Sequence, residues 1–487
     1  MNLLSWLTMS NLMMAIYVIN FFIAFGIIFL ERKNPAATLA WIMVLFMLPG
    51  LGLLLYTFLS QNISRLRMFN LTNYEQYIIS HSLQEQINSI ENRSFVFSNE
   101  AEVKWRDMIL LHQTYSKAFL TQDNRMSVFT DGNHKFKVLL DDIKNAKESI
   151  NVMYFIIKND KVGQALINAL TEKAAEGVEV RFLLDAIGCR QIRPTHLRKF
   201  TKAGGKYAYF FPPRFFRYLN IRLNYRNHRK LVIIDGQIGY IGGFNVGNEY
   251  IGLKKKFGNW RDTHLRMTGS CVQDMNARFI LDWRFASKED LPLSSAFYGA
   301  ANGNGQAGVQ IVSCGPDSRR TEVKRGYLKM ISSAKKNIYI QSPYFVPDSS
   351  IIESLKNAIY SGVDVRLMIP DKPDHMFVYW ATLYYCGELL AAGARIFIYR
   401  NGFLHAKTIC VDGEVASVGS ANFDMRSFYL NFEVNAFIYD PEEVYKLESI
   451  FEADIAESEE LTEEKYRKRS LWIKFKQSIS RLLSDLL

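Results

Sequence analysis

Cysteine is scarce and scattered in this chain: Cys189, Cys271, Cys314, Cys386 and Cys410 lie far apart, with no C-x-x-C pair and an odd total among 487 residues. That excludes a fully paired disulfide framework, argues against a zinc site, and favours buried free thiols in a reducing compartment. Charge is absent from two long stretches, Met1 to Leu30 and Asn34 to Ser64. A clustered His/carboxylate ligand set is lacking as well, which argues against a catalytic metal.

What is present begins with those uncharged stretches. Each exceeds the roughly 20 residues that a helix needs to cross a bilayer. They are separated only by the short polar gap around Glu31-Arg32-Lys33, so the expectation is a transmembrane helical hairpin over residues 1–61, with spans at about 9–30 and 36–59. Pro49-Gly50 is expected to kink the second span. A cleaved signal peptide would want a basic start, a shorter apolar core and a small-residue cleavage site, none of which is evident. Arg32 and Lys33 in the gap compete with Arg65 and Arg67 beyond the second span, so the cytoplasmic placement expected for the remainder leans on the thiols. The formal net charge of +11 suits an anionic partner, a phospholipid surface or nucleic acid.

After a polar connector over 62–130, one α/β pattern occurs twice. KESINVMYFII (147–157), GQALINALTEKAAEG (163–177) and VEVRFLLD (178–185) read as strand, helix and strand. KNIYIQSPYFV (336–346), SIIESLKNAIYSG (350–362) and VDVRLMIP (363–370) repeat that order. The expected organisation is therefore α/β, with one domain over 131–300, a second over 301–460 and an amphipathic tail over 461–487.

Each copy continues into a matched motif: NHRKLVIIDGQIGYIGGFN (227–245) and LHAKTICVDGEVASVGSAN (404–422). In a strand, residues two apart share a face, so His228 and Lys230 are expected to project together, as are His405 and Lys407. Asp235 and Asp412 fall at Asp-Gly turns, from which a second strand returns Asn245 or Asn422 beside the lysine. Two such units face to face would surround a phosphate with two ammoniums and two amides. One histidine then attacks phosphorus while the other protonates the departing alkoxide. A lone His-x-Lys is usually a polar strand edge; duplication at matched spacing reverses that weighting. The other six histidines, His81, His112, His134, His196, His264 and His375, lack such partners and read as surface or structural.

The doubled H-x-K-x4-D-x6-G-G/S-x-N pattern resembles the phospholipase D superfamily. Within it the chain is similar to bacterial cardiolipin synthases along almost its whole length, through ERKNPAATLAW (31–41), NHRKLVIIDGQIGYIGGFNVGNEY (227–250), FGNWRDTHLRMTG (257–269), SPYFVPD (342–348), NGFLHAKT (401–408) and NFEVNAF (431–437). The resemblance implies two pseudo-twofold-related phospholipase D-like α/β/α sandwich domains with one site between them. It implies a cofactor-free exchange in which two phosphatidylglycerols give cardiolipin and glycerol. His228 is then the nucleophile and His405 the acid/base, while Lys230, Lys407, Asn245, Asn422 and Ser420 hold phosphate. Asp235 and Asp412 belong to the catalytic motif and order it. Asp262 is expected to orient His228, and Glu433 to orient His405. Gly243 stands where the second copy has Ser420, which counts against a symmetric cradle.

Two flanking segments look membrane-facing. PPRFFRYLNIRLNYRNHRK (212–230) sets Arg214, Arg217, Arg222, Arg226 and Arg229 among aromatics, as a lipid-headgroup surface would. The tail SLWIKFKQSISRLLSDLL (470–487) is either an interfacial anchor or a helix packed on the catalytic domain. The expected partners are phosphatidylglycerol, cardiolipin and an anionic bacterial membrane, with no nucleic acid. A hydrolase, a transferase using another alcohol, or a membrane-bound nuclease are the competing readings.

Overall fold

The described parts of the uncharged N-terminal stretches are largely helical, in a computed structural model that describes residues 9–28, 35–59, 68–212, 225–294, 303–318 and 320–482. Helix α1 (Met9–Gly26) is 18 residues long and apolar enough to cross a membrane. Its Met14, Phe21, Phe22 and Phe25 point outward, as lipid contact requires. The second stretch is divided into α2 (Pro35–Met47) and α3 (Leu51–Leu59). The break falls at Leu48-Pro49-Gly50, where Gly50 takes a left-handed φ of 84°. Gly52 then passes so close to α2 that a Cβ there would sit 2.4 Å from the Val44 carbonyl. Asn20 ties α1 to α2 by donating to the Leu45 carbonyl at 2.6 Å, a bond worth keeping where water is absent.

The remainder is mixed α/β. The first half supplies β1 (Thr121–Asp131), β2 (Ser149–Tyr154), β3 (Glu179–Asp185), β4 (Lys206–Phe210), β5 (Arg226–Asn227), β6 (Leu231–Ile234), β7 (Ile238–Gly242) and β8 (Trp260–Thr268). The second supplies β9 (Ala307–Cys314), β10 (Asn337–Gln341), β11 (Phe345–Val346), β12 (Asp364–Pro370), β13 (Arg395–Tyr399), β14 (Phe403–Leu404), β15 (Thr408–Val411), β16 (Val415–Gly419), β17 (Phe423–Asp424), β18 (Asn431–Tyr439) and β19 (Ser458–Glu460). Strand order in the first sheet is β4-β3-β2-β6-β7-β8-β1. In the second it is β19-β13-β12-β10-β15-β16-β18-β9, the same succession with one added edge strand. In both, the three strands of the βαβ part are parallel and the rest antiparallel. The continuous burial of β2, β3, β6 and β15 explains their near-unbroken apolar sequence.

The two sheets are one packed body. β1 pairs with β9 as well as β8, and a single apolar cluster mixes Met153, Leu231, Ile241 and Leu265 of the first half with Val418, Val434, Ala436 and Ile438 of the second. The connector expected over 62–130 is less separate than its polarity suggests. Ile90, Trp105, Met108 and Ile109 enter the second half's core, and β1 starts at Thr121 inside it. Its alternating, half-buried sequence TQDNRMSVFTD hides that strand.

Asp235 and Asp412 close type I′ hairpins, with φ of 52° and 58° followed by Gly236 at 65° and Gly413 at 69°. Each carboxylate accepts three backbone N–H groups from the segment entering the neighbouring strand. For Asp235 these are Lys147, Glu148 and Ser149, at 2.7–2.9 Å; for Asp412 they are Lys335, Lys336 and Asn337, at 2.7–3.0 Å. Replacing Asp412 by Ala strips those donors of their charged acceptor and places a Cβ residue with no local hydrogen bond at positive φ. The expected cost is about 2 kcal/mol or more, read as a lowered melting temperature of the detergent-solubilised chain, with Asp412→Asn losing less.

Candidate active site

The two His-x-Lys elements occupy the joints between β5 and β6 and between β14 and β15, rather than lying within one strand as the i, i+2 argument expects. Both joints sit where the halves meet. β5 runs parallel to β18, pairing Arg226 with Asn431 and Asn227 with Phe432. β14 runs parallel to β8, pairing Phe403 with Trp260 and Leu404 with Arg261. One further hydrogen bond extends each pairing into the motif: His228 N donates to Phe432 O at 2.9 Å, and His405 N to Arg261 O at 2.7 Å.

These pairings decide which carboxylate meets which histidine. Nδ1 of His228 lies 2.9 Å from both oxygens of Glu433. Nδ1 of His405 lies 2.6 Å from Oδ2 of Asp262. The expected same-half pairing is therefore corrected to a crossed one: β18 carries Glu433 alongside β5, and β8 carries Asp262 alongside β14. With Nδ1–H given to a carboxylate, each ring keeps a lone pair on Nε2, and neither Nε2 is engaged among the described residues. Both rings are packed by aromatics, His228 by the edge of Phe155 at 4.8 Å and His405 by Trp260 at 5.1 Å.

Ser420 is corrected too. Its hydroxyl is fully buried and donates to Glu433 Oε2 at 2.6 Å while accepting from Val434 N at 3.0 Å, so it braces the carboxylate rather than facing the phosphate position. At the matching position a Cβ on Gly243 would lie 1.9 Å from Asp262 Oδ1. The shorter carboxylate thus occupies the room that a serine would take. Asn245 accepts from Ile156 N at 3.1 Å. Asn422 is buried with Oδ1 unpartnered and its amide 3.3 Å from Asp424.

Electrostatics follow from burial. Lys230 folds back to donate to the carbonyl of His228, two residues before it, at 2.5 Å. Lys407 does the same to His405 O and sits 2.9 Å from His405 Nδ1. Burial lowers Lys230 to about 7 and Lys407 to about 8 against the pull of Glu433 and Asp262. Burial first, then the lysines, holds His228 down at about 4 and also lowers His405. Burial pushes Asp262 and Glu433 up, but the adjacent lysines and histidines outweigh it, so both stay below the usual carboxylate range. In the empty site burial thus inclines both imidazoles to the neutral form, the carboxylates stay inclined to the ionised form, and the lysines hold their charge less firmly than at a surface, so that a bound anion would strengthen it.

Several residues near the site escape sequence reasoning. Asp185, at the end of β3, accepts from Asn227 N at 2.9 Å and fixes the residue before His228; a carboxylate closing a buried strand was the available signal. Arg229 does not belong to a headgroup surface. It is buried, with its guanidinium 2.8 Å from both Asp282 oxygens and donating to the carbonyls of Glu433 and Cys314. Arg214, Arg217 and Arg222 lie outside the described residues.

Two outcomes test this geometry. Gly243→Ser copies the second half's residue yet drives the Asp262 carboxylate off His405, so turnover is expected to fall ~100-fold, with the circular dichroism spectrum retained; wild-type activity would contradict the crossed arrangement. For an anionic phosphodiester, kcat/KM is expected to decline as pH rises through about 7 to 8, because Lys230 and then Lys407 lose their protons. The decline in kcat lies at higher pH, since bound phosphate holds both ammoniums charged.

The family described as "Cardiolipin synthase, PLD-like domain" matches residues 139–257 and 327–455, and the one described as "Phospholipase_D-nuclease N-terminal" matches 18–61. A cardiolipin synthase of Listeria monocytogenes is 50% identical over 480 residues, covering 98% of this chain and 99% of that protein. One of Oceanobacillus iheyensis is 49% identical, covering 97% and 98%. Among solved structures, phosphatidylserine synthase of Haemophilus influenzae superposes with a TM-score of 0.60 at 14% identity, over 79% of this chain and all of that one, which bears on the fold alone. With about half of all positions shared with these relatives along nearly its full length, and the family's model matching both halves, the chain belongs to the cardiolipin synthase family of the phospholipase D superfamily.

Proposed function

We propose that this phosphatidyltransferase joins two phosphatidylglycerols into cardiolipin and glycerol, in two steps at one site. The observation that carries the reading is a pair of buried histidines, each with Nδ1 bound to a carboxylate of the opposite half and Nε2 left for chemistry.

In the first step Nε2 of His228 attacks the phosphorus of one phosphatidylglycerol. The P–O bond to the head-group glycerol breaks, and His405, which enters this step protonated on Nε2 once the anionic diester is bound, gives that proton to the departing oxygen. This leaves a phosphatidyl group on His228 and a neutral His405. In the second step His405 takes the proton from a terminal hydroxyl of another phosphatidylglycerol, whose oxygen attacks phosphorus and releases His228. Protons balance over the cycle, and the P–O bond formed resembles the one broken, so the exchange is reversible. Lys230 and Lys407 neutralise the phosphate, and Asn245 and Asn422 donate amides to it. Glu433 and Asp262 support whichever ring carries charge.

The two halves, 131–300 and 301–460, relate as a pseudo-twofold pair; their repeated strand order supports this. The N-terminal segment forms a membrane hairpin, α1 crossing once and the kinked α2–α3 unit returning. The catalytic body faces the cytoplasm, consistent with five buried, unpaired cysteines.

The test is incubation of purified wild type and His228→Ala with labelled phosphatidylglycerol, without CTP or added metal. Equal amounts of cardiolipin and glycerol from wild type alone are expected. Phosphatidic acid in place of cardiolipin would identify a hydrolase, and no turnover of lipid would reject the transferase.

A further inference from the structure

The C-terminal helix Leu471–Leu482 lies on the helix Met376–Ala392 with its amphipathic face reversed. Gln477 and Ser480 are buried at 2% exposure each, and Ile473 and Lys476 are half-buried beside them. Together these residues, at i, i+3, i+4 and i+7, form the inward face. Lys476 sits 5.1 Å from the Trp380 ring, and Arg481 lies 5.0 Å over Tyr384. The large apolar side chains point away from the protein: Leu471 (81% exposed), Trp472 (62%), Phe475 (55%), Ile479 and Leu482 (66%). Trp472 and Phe475 stack at 5.5 Å, so the outward stripe is a formed surface. Met376 and Phe377, at the start of the supporting helix, are exposed as well.

An outward stripe of this size needs a cover. We propose that the cover is the lipid headgroup layer of the bilayer that holds α1, with Trp472 and Phe475 inserted below the phosphates. The charge pattern selects this occupant over a second copy of the chain. The helix exposes Lys474 and Arg481 and carries no acidic residue between 471 and 482, so two such faces repel each other, whereas an anionic phospholipid surface attracts them. The docked helix also has a line to the chemistry. Its support begins two residues after Asp374, whose carboxylate accepts from Tyr344 OH and acts electrostatically on Lys407. Docking therefore sets the second half's side of the active site at headgroup depth, where a phosphatidyl group reaches it with its acyl chains still in the bilayer. This rests on the substrate being a membrane lipid.

The test uses the full chain. All five native cysteines are buried, so Phe475→Cys accepts an environment-sensitive nitrobenzoxadiazole label selectively. In vesicles of phosphatidylglycerol and phosphatidylethanolamine, the expected result is blue-shifted emission quenched by nitroxides near the headgroups. Emission at the aqueous position, quenched by iodide, overturns the proposal. So does energy transfer between labelled copies that persists at high lipid-to-protein ratio, which would assign the face to a second chain. The variant Leu471→Ser/Trp472→Ser/Phe475→Ser is expected to lose about five-fold or more in turnover of long-chain phosphatidylglycerol in vesicles, with turnover of a monomeric short-chain analogue unchanged. Equal losses on both overturn the docking role. Failure to make cardiolipin from either substrate counts against the reaction instead, since the label still reports depth.

Discussion

Two short parallel pairings, Arg226–Asn227 along Asn431–Phe432 and Phe403–Leu404 along Trp260–Arg261, set the geometry on which the site depends. Each places the joint that carries one half's histidine beside the strand that carries the other half's carboxylate. Neither half alone can fix the tautomer of its own imidazole. Buried ion pairs brace the same seam. Arg229, between His228 and Lys230, is held by Asp282 and donates to the Glu433 carbonyl. Arg261, next to Asp262, is held by Asp454 of the second half at 2.7 Å. Such pairs are weak sources of net stability but costly to break singly, which suits them to fixing register.

The seam is also what dries the site. Burial lowers the pKa of both lysines and both histidines, which is unfavourable for an empty cavity carrying cations and favourable once a phosphodiester supplies the missing negative charge. The carboxylates compensate in part, and their depressed pKa values record it. Low dielectric then makes the lysine–phosphate attraction stronger than at a surface. Binding energy for the anion is thus built in as an unfavourable charge balance in the free enzyme.

Local features of this arrangement were legible in the sequence. The doubled His-x-Lys, the Asp-Gly turns and the returning Asn are contained within about twenty residues, and their spacing follows from hairpin geometry. The alternation of strand and helix gave the α/β class, and the uncharged stretches gave the apolar helix α1. Contacts between distant segments were not legible. Asp262 and Glu433 stood out as carboxylates near the motifs, but which histidine each serves depends on inter-half strand pairing 143 and 205 residues apart. Arg229 looked like one more basic residue in a basic run, because nothing local announces that Asp282 lies against it. Ser420 looked like a phosphate donor until the buried carboxylate behind it was in view.

The asymmetry between the halves bears on the roles proposed for the two histidines. In one, Glu433 meets His228 with both oxygens at 2.9 Å and shares its charge with Ser420. In the other, Asp262 meets His405 through a single oxygen at 2.6 Å, and the glycine at 243 leaves room for that close approach. The short bond to Asp262 opposes the burial and the Lys407 ammonium that lower His405, and so supports the imidazolium, the state an acid/base must visit in every cycle. A ring held down at about 4 is inclined to stay neutral near neutral pH, the state a nucleophile requires. Two copies of one motif can thus be specialised by one methylene and one hydroxyl, which places the division of labour in the groups behind the histidines rather than in the histidines themselves.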